Sequence, residues 1–204
     1  MRDRIVEVLD PVEYQRFLVY IMGPYKPFDL EAVLPEDVDP DSLTAPWLAE
    51  WDGESGEYEA ADVLALLKRV RDRLRAEAKL NGYLAIDVDI DLAEMDAASQ
   101  SIAFARASNA VVFVAPRVGD NLGLGIEVGS VLEALDDDDR ERVVFIHEDG
   151  VRSAMIAGVS RRWDATVYSY ADEDDLVRQL RTFAIDIMNR EQTGSLPSRD
   201  RETE

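Results

Sequence analysis

The sequence has no cysteine. Disulfides, thiolate zinc sites and a cysteine nucleophile are therefore excluded. It has one histidine, His147, placed where a strand ends and expected to be a solvated imidazole. Lysine is nearly absent as well: Lys26, Lys68 and Lys79 stand against nineteen arginines. No stretch approaches the ~18 consecutive apolar residues of a membrane span, so no membrane association is expected. The first ten residues, MRDRIVEVLD, lack the apolar core and small-residue cleavage site of a signal peptide, and a cytoplasmic location is expected. No basic stripe is available to neutralise phosphates along a strand, which argues against a nucleic-acid partner. No internal repeat is visible.

Acid is abundant instead. Asp and Glu number 43 against 22 Lys and Arg, for a formal net charge of -21. The acids run along the whole chain rather than gathering in a tail, so a salt-rich cytoplasm is preferred over a basic partner. There the Debye length falls to ~3 Å at 1 M salt and self-repulsion is screened. Hydrophobic residues still make up 47%, enough for a packed core.

Along the chain, residues 1–15 form a helical or irregular lead-in. Arg16–Tyr25, RFLVYIMGPY, is a continuous apolar run with the composition of a buried strand, ended by Gly23-Pro24. Residues 26–57 lose periodicity and carry four prolines, Trp47 and Trp51. A connection this long suggests a lid or binding loop. Apolar residues at threes and fours mark a helix over 58–80, with Asn81-Gly82 as its stop. Tyr83–Leu92 alternates apolar and acidic residues like a strand, which would place Asp87, Asp89 and Asp91 on one face as a solvated row.

A helix over 94–108 follows, then a strand at Ala110–Ala115 and a helix running to the Asp136–Asp139 cluster. Strands at Arg142–His147 and Ala165–Tyr170 bracket a short helix at 152–162. The last helix covers Asp172 to about Arg190, with Leu176, Leu180, Phe183 and Ile187 on one face. Residues 191–204 are expected to form a flexible tail behind a domain spanning 1–190.

Five strands alternating with helices give an α/β three-layer sandwich with a mostly parallel sheet, flavodoxin-like in order 2-1-3-4-5. Ligands of such sheets bind at the carboxyl ends of the strands where the order reverses, here between the first and third strands. Those strands end at Gly23-Pro24 and at the loop GDNLGLG. The expected loop feeds a helix with Glu127 in its first turn, where the helix dipole would favour a carboxylate by ~0.3–1 kcal/mol. Gly119, Gly123 and Gly125 permit close backbone approach, and Asn121 offers a donor to an anion. The bland alternative is an exposed acid placed for the dipole alone.

NLGLGIEVGSVLEAL resembles the segment that carries the nucleophilic glutamate of the nucleoside 2-deoxyribosyltransferase family, closest to the 2'-deoxynucleoside 5'-phosphate N-hydrolases. YIMGP at 20–24 is similar to that family's first-strand end, and SAMIAGVSRRWDATVYSYADEDDLVRQLRTF at 153–183 to its C-terminal segment. The resemblance implies that Glu127 attacks the anomeric carbon and that Tyr20 orients it or meets the sugar. It implies that Asn121 and Ser153 contact a 5'-phosphate, Ser153 from the neighbouring subunit of a homodimer or higher homo-oligomer. Gly23, Pro24, Gly123 and Gly125 would line the substrate site. Ser101 stands where the family has an aspartate that meets the sugar and assists proton transfer. The arginine- and glycine-rich phosphate loop is replaced by PYKPFD, with Lys26 as its cation; Asp29, or an acid of the 26–57 loop, would be the substitute acid.

The implied function is N-glycosidic cleavage or glycosyl transfer on a nucleoside or nucleoside 5'-monophosphate, with no cofactor and no metal. The alternatives are a catalytically silent nucleotide-binding module of the same fold, and a TIR-like NAD-cleaving domain.

Overall fold

The computed structural model describes residues 1–24, 60–117, 121–151, 162 and 165–199, with residues 60–61 and 121–127 described by their backbone. The order is α1 (Arg2–Val8), β1 (Tyr14–Met22), α2 (Ala60–Ala78), β2 (Leu80–Tyr83), α3 (Ala85–Val88), α4 (Ala97–Ala107) and β3 (Ala110–Ala115). Then come α5 (Asn121–Ala134), α6 (Asp137–Arg140), β4 (Val143–Glu148), β5 (Thr166–Tyr170) and α7 (Glu173–Thr193). Lid and tryptophan expectations at 26–57 and the helix expected at 152–162 fall largely outside the described residues, as do Lys26, Asp29, Gly119 and Ser153.

The five strands form one all-parallel sheet in the order β2-β1-β3-β4-β5. Strands of such a sheet are covered on both faces, which is why β1 and β3 are unbroken apolar runs. Side-chain alternation divides the core. Phe17, Val19, Ile21, Val112, Val114, Val144 and Ile146 face α2 and α7. Leu18, Tyr20, Met22, Val111, Phe113, Val143 and Phe145 face the layer holding α1, α3, α4 and α5. In α7, Leu176, Leu180, Phe183 and Ile187 recur at helical spacing and are all buried, each stabilising by roughly 1.5–3 kcal/mol.

Three expectations are corrected. The strand over Tyr83–Leu92 does not form: β2 ends at Tyr83 and the chain turns into the short helix α3. Asp87 draws it away, accepting from the Leu84 N–H at 2.8 Å and pairing with Arg71. Val88 and Ile90 bury themselves against the helical layer, so their spacing of two mimics a strand. Asp87, Asp89 and Asp91 consequently share no strand face. The helix stop is also earlier than Asn81-Gly82. Helix α2 ends at Ala78, Lys79 takes a left-handed φ of 59°, and Asn81 and Gly82 belong to β2.

The third correction concerns the tail. Helix α7 runs on to Thr193 and is capped by Gly194 at φ 80°. Leu196 is 1% exposed in the core. Arg142, itself buried, pairs with Glu191 and donates to Pro197 O. Arg199 donates to Asp139 at 2.5 Å. Residues 191–199 are thus docked; residues 200–204 lie outside the described ones.

Candidate functional site

Strand order reverses between β1 and β3, which pair from Val19↔Ala110 to Met22↔Phe113. Their carboxyl ends define the crevice of a doubly wound sheet. On the face toward α4 and α5, Tyr20 is 2% exposed. It stacks on Tyr83 at 5.2 Å and meets Phe104 edge-on at 5.5 Å. Ser101 lies in α4 one turn before Phe104 and is buried. Helix α5 packs on the same face through Val128, Val131 and Leu132. The fold therefore brings Tyr20, Ser101 and the helix bearing Glu127 to one face of the sheet. Asp96 is the α4 N-cap, accepting from Ser99 N at 2.9 Å. That bond and the one from the Ser99 hydroxyl hold its carboxyl below the ordinary aspartate range, the hydroxyl contributing most.

Glu127 is not in the first turn of its helix. Helix α5 already begins at Asn121, which makes Glu127 its seventh residue, with no acid in the first turn. The dipole effect decays within the first turn, so it acts at 121–124 and not at Glu127. Asn121 opens the helix, and Gly123 and Gly125 lie within it rather than in a loop. Leucine-rich sequence either side of these glycines lets them be helical despite a cost of about 1 kcal/mol each.

Gly23 serves packing. A Cβ there would stand 2.8 Å from Leu67 Cδ1 and 3.2 Å from Val114 O. Alternation along β1 turns this position toward α2, the opposite face from Tyr20. Pro24 is buried beside it.

A polar edge invisible in the sequence caps the carboxyl ends of β3, β4 and β5. The Arg117 N–H donates to Glu148 Oε2 at 2.9 Å, and its Nε donates to Asp149 O at 2.8 Å. The Asp149 N–H donates to Tyr170 O at 2.8 Å. Gly150, at φ 89°, leaves room for the Arg117 guanidinium, which a Cβ would strike. His147 is half-buried, with Nδ1 3.0 Å from Glu148 O, the geometry of an Nδ1–H donor. Tyr170 is 4% exposed, and its hydroxyl has no hydrogen-bond partner among the described residues. Burial first, and the charge of Glu148 second, push its pKa up. Acids are so common in this chain that Glu148 carries no signal of its own. Its position at the end of RVVFIHE, closing a largely buried strand, was the available hint.

Among the described residues no group of three or more His, Asp or Glu is arranged to hold a metal ion. No helix among them is long and apolar enough to cross a membrane. At the opposite pole, where the strands begin, a cleft of about 510 Å³ is lined by Arg2, Arg106 and Arg199 with Ala103, Ala107 and Ser198. Its guanidinium groups are committed to the protein: Arg2 donates to Ala107 O at 2.7 Å and Asn109 Oδ1 at 2.9 Å, and Arg106 to Ala134 O at 2.6 Å. This cleft braces the fold and lies away from the crevice.

No curated protein matches the chain. No solved structure matches it either. A family model described as "Domain of unknown function (DUF7509)" matches residues 2–200. Covering nearly the whole sequence, that match makes the chain a member of the DUF7509 family.

Proposed function

We propose that the protein cleaves or transfers the N-glycosidic bond of a nucleoside or nucleoside 5'-monophosphate, with Glu127 as nucleophile. The observation that carries this reading is the placement of Tyr20, Ser101 and the Glu127 helix on one face of the sheet, beside the β1/β3 reversal. The resemblance of LGLGIEVG to the deoxyribosyltransferase nucleophile segment supplies the chemistry. In that chemistry the Glu127 carboxylate bonds to the anomeric carbon as the C–N bond breaks. The base leaves with the electron pair and takes a proton from water. Addition of water to the glycosyl ester then returns sugar and free carboxylate, or a second base accepts the glycosyl group. Since Glu127 lies in the second turn, its ionisation would rest on local contacts and solvent rather than on the helix dipole.

Release of free base from 2'-deoxynucleoside 5'-monophosphates in molar salt tests the reading. Glu127→Ala is expected to abolish it, and undiminished release by that variant would refute the assignment of the nucleophile. One observation favours a second reading, a catalytically silent nucleotide-binding module: the position of the family's aspartate holds Ser101, 5% exposed on the buried side of α4. Nucleotide-induced melting shifts without base release, equal in wild type and Glu127→Ala, would select it. A cytoplasmic, homo-oligomeric protein suited to high salt is the setting this proposal assumes.

A further inference from the structure

We propose that His147 is the general base that activates water in the second half of the reaction, favouring cleavage over transfer; this rests on the Glu127 reading above.

Alternation along β4 sets the side on which His147 stands. Val143 and Phe145 face the layer of α4 and α5, while Val144 and Ile146 face the opposite one. His147 continues the first series. It therefore lies on the face of Tyr20, Ser101 and α5, at the carboxyl end of the strand beside β3. Its ladder partners are Ala115 on β3 and Ser169 on β5, two small residues that crowd the ring little.

Height along the sheet agrees. Leu135, just after α5, and Val143, opening β4, both lie in the core of this face, toward the pole where the strands begin. From Leu135 back to Glu127 the helix climbs about 12 Å. From Val143 to His147 the strand climbs about 13 Å. The Glu127 backbone and His147 thus reach the same level on the same face, at the carboxyl ends of the strands.

The imidazole is also held in one form. Nδ1 lies 3.0 Å from Glu148 O, and a carbonyl only accepts, so the neutral ring carries its proton on Nδ1. Nε2 keeps its lone pair and makes no hydrogen bond among the described residues. Tyr20 and Ser101 offer hydroxyls, which are poor proton acceptors beside an imidazole. In the second step a water oxygen bonds to the anomeric carbon while the ester C–O bond breaks, and its electron pair returns to the Glu127 carboxylate. The proton of that water passes to Nε2 and then to solvent, which restores the neutral ring. An anionic acceptor in place of water needs no such help.

Rapid-quench measurement of free base and sugar phosphate from 2'-deoxyinosine 5'-monophosphate tests this in wild type, His147→Asn and His147→Ala. The Asn amide keeps a donor for Glu148 O and removes Nε2. Both variants should release a burst of about one base per enzyme and then turn over about 10²–10⁴-fold more slowly. The glycosyl-enzyme should appear in the intact mass, and azide should restore turnover by forming the glycosyl azide. His147 is the only histidine, so ethoxycarbonylation of the wild-type imidazole gives the same readout where a variant does not fold. Variant turnover equal to wild type would overturn the proposal. So would burst and turnover lost together without rescue by azide, because His147 would then serve the fold or substrate binding. A wild type that transfers to a second base but forms no sugar phosphate would also overturn it, leaving the nucleophile reading in place. A wild type that releases no base removes the glycosyl reading itself, and this inference with it.

Discussion

Removing the Glu191 carboxylate should be among the most destabilising single changes in the protein. The Arg142 side chain is 2% exposed and its partner Glu191 8%. Asn109, itself fully buried, donates through Nδ2 to both Glu191 oxygens, at 3.0 and 2.9 Å. Glu191→Ala would leave the guanidinium with Asn109 O at 3.2 Å, Pro197 O, and an Asp139 oxygen 3.8 Å from Nε. None of these replaces a carboxylate in contact. Breaking a buried pair in this way costs about 3–5 kcal/mol, a large part of the roughly 5–15 kcal/mol that holds a typical domain folded. At about 2–4 °C per kcal/mol for a chain of this size, the thermal midpoint should fall by roughly 6–20 °C. Because the pair is shielded from solvent, the loss should persist from low to molar salt. The double change Arg142→Met with Glu191→Leu should recover most of it, since an apolar pair avoids the desolvation of two charges. Urea unfolding of the three proteins at two salt concentrations measures all of this. A loss under about 1 kcal/mol for Glu191→Ala would refute the reasoning, because a solvated pair costs no more than that.

Two further outcomes follow from packing and ionisation. Gly23→Ala should cost about 1–3 kcal/mol by driving a methyl into Leu67 and the Val114 carbonyl; an unchanged urea midpoint would show that α2 can yield there. Tyr83 is fully buried, and burial raises its folded pKa despite the bond to Ser108 that opposes the shift. Its contribution is therefore complete below the unfolded value of about 10 and is lost as pH rises toward the folded one. Tyr83→Phe should cost about 0.5–1.5 kcal/mol at neutral pH yet flatten the decline of the thermal midpoint above pH 10. An identical alkaline slope would assign that decline elsewhere, Tyr170 being the next group with the same sign.

The fold was legible because its strands announce themselves. β3 is AVVFVA, apolar at six successive positions, and its bounds match those expected from composition alone. Leu176, Leu180, Phe183 and Ile187 likewise fix α7 by spacing. The errors have a common cause, which is that local pattern was overruled by polar partners far away in sequence. Asp87 belongs to Arg71 sixteen residues earlier, and that contact turns an apparent strand into a helical turn. Glu191 belongs to Arg142, 49 residues away, and that contact converts an expected frayed end into a clasp. In a chain with 43 acids, sequence alone cannot tell which carboxylates have a buried arginine waiting.

The strand reversal that defines the candidate crevice was legible, but the local structure around Glu127 was less so. Strand order alone placed it between β1 and β3, and the sheet has that order. The glycines of NLGLG suggested a loop, and the loop reading put Glu127 at a helix mouth. Helix propensity argues for such a reading, since two glycines in four residues weaken a helix, but Leu122 and Leu124 beside them and the buried stripe from Val128 onward carry the helix back to Asn121. Shifting the helix start by more than a turn separates two roles that had been assigned to one place. The helix mouth at Asn121 is where the dipole would favour an anion. Glu127, six residues further along, faces no such bias, and in the proposed reading it would be the nucleophile. On this reasoning a phosphate and a nucleophile can occupy one helix without competing for the same positive end.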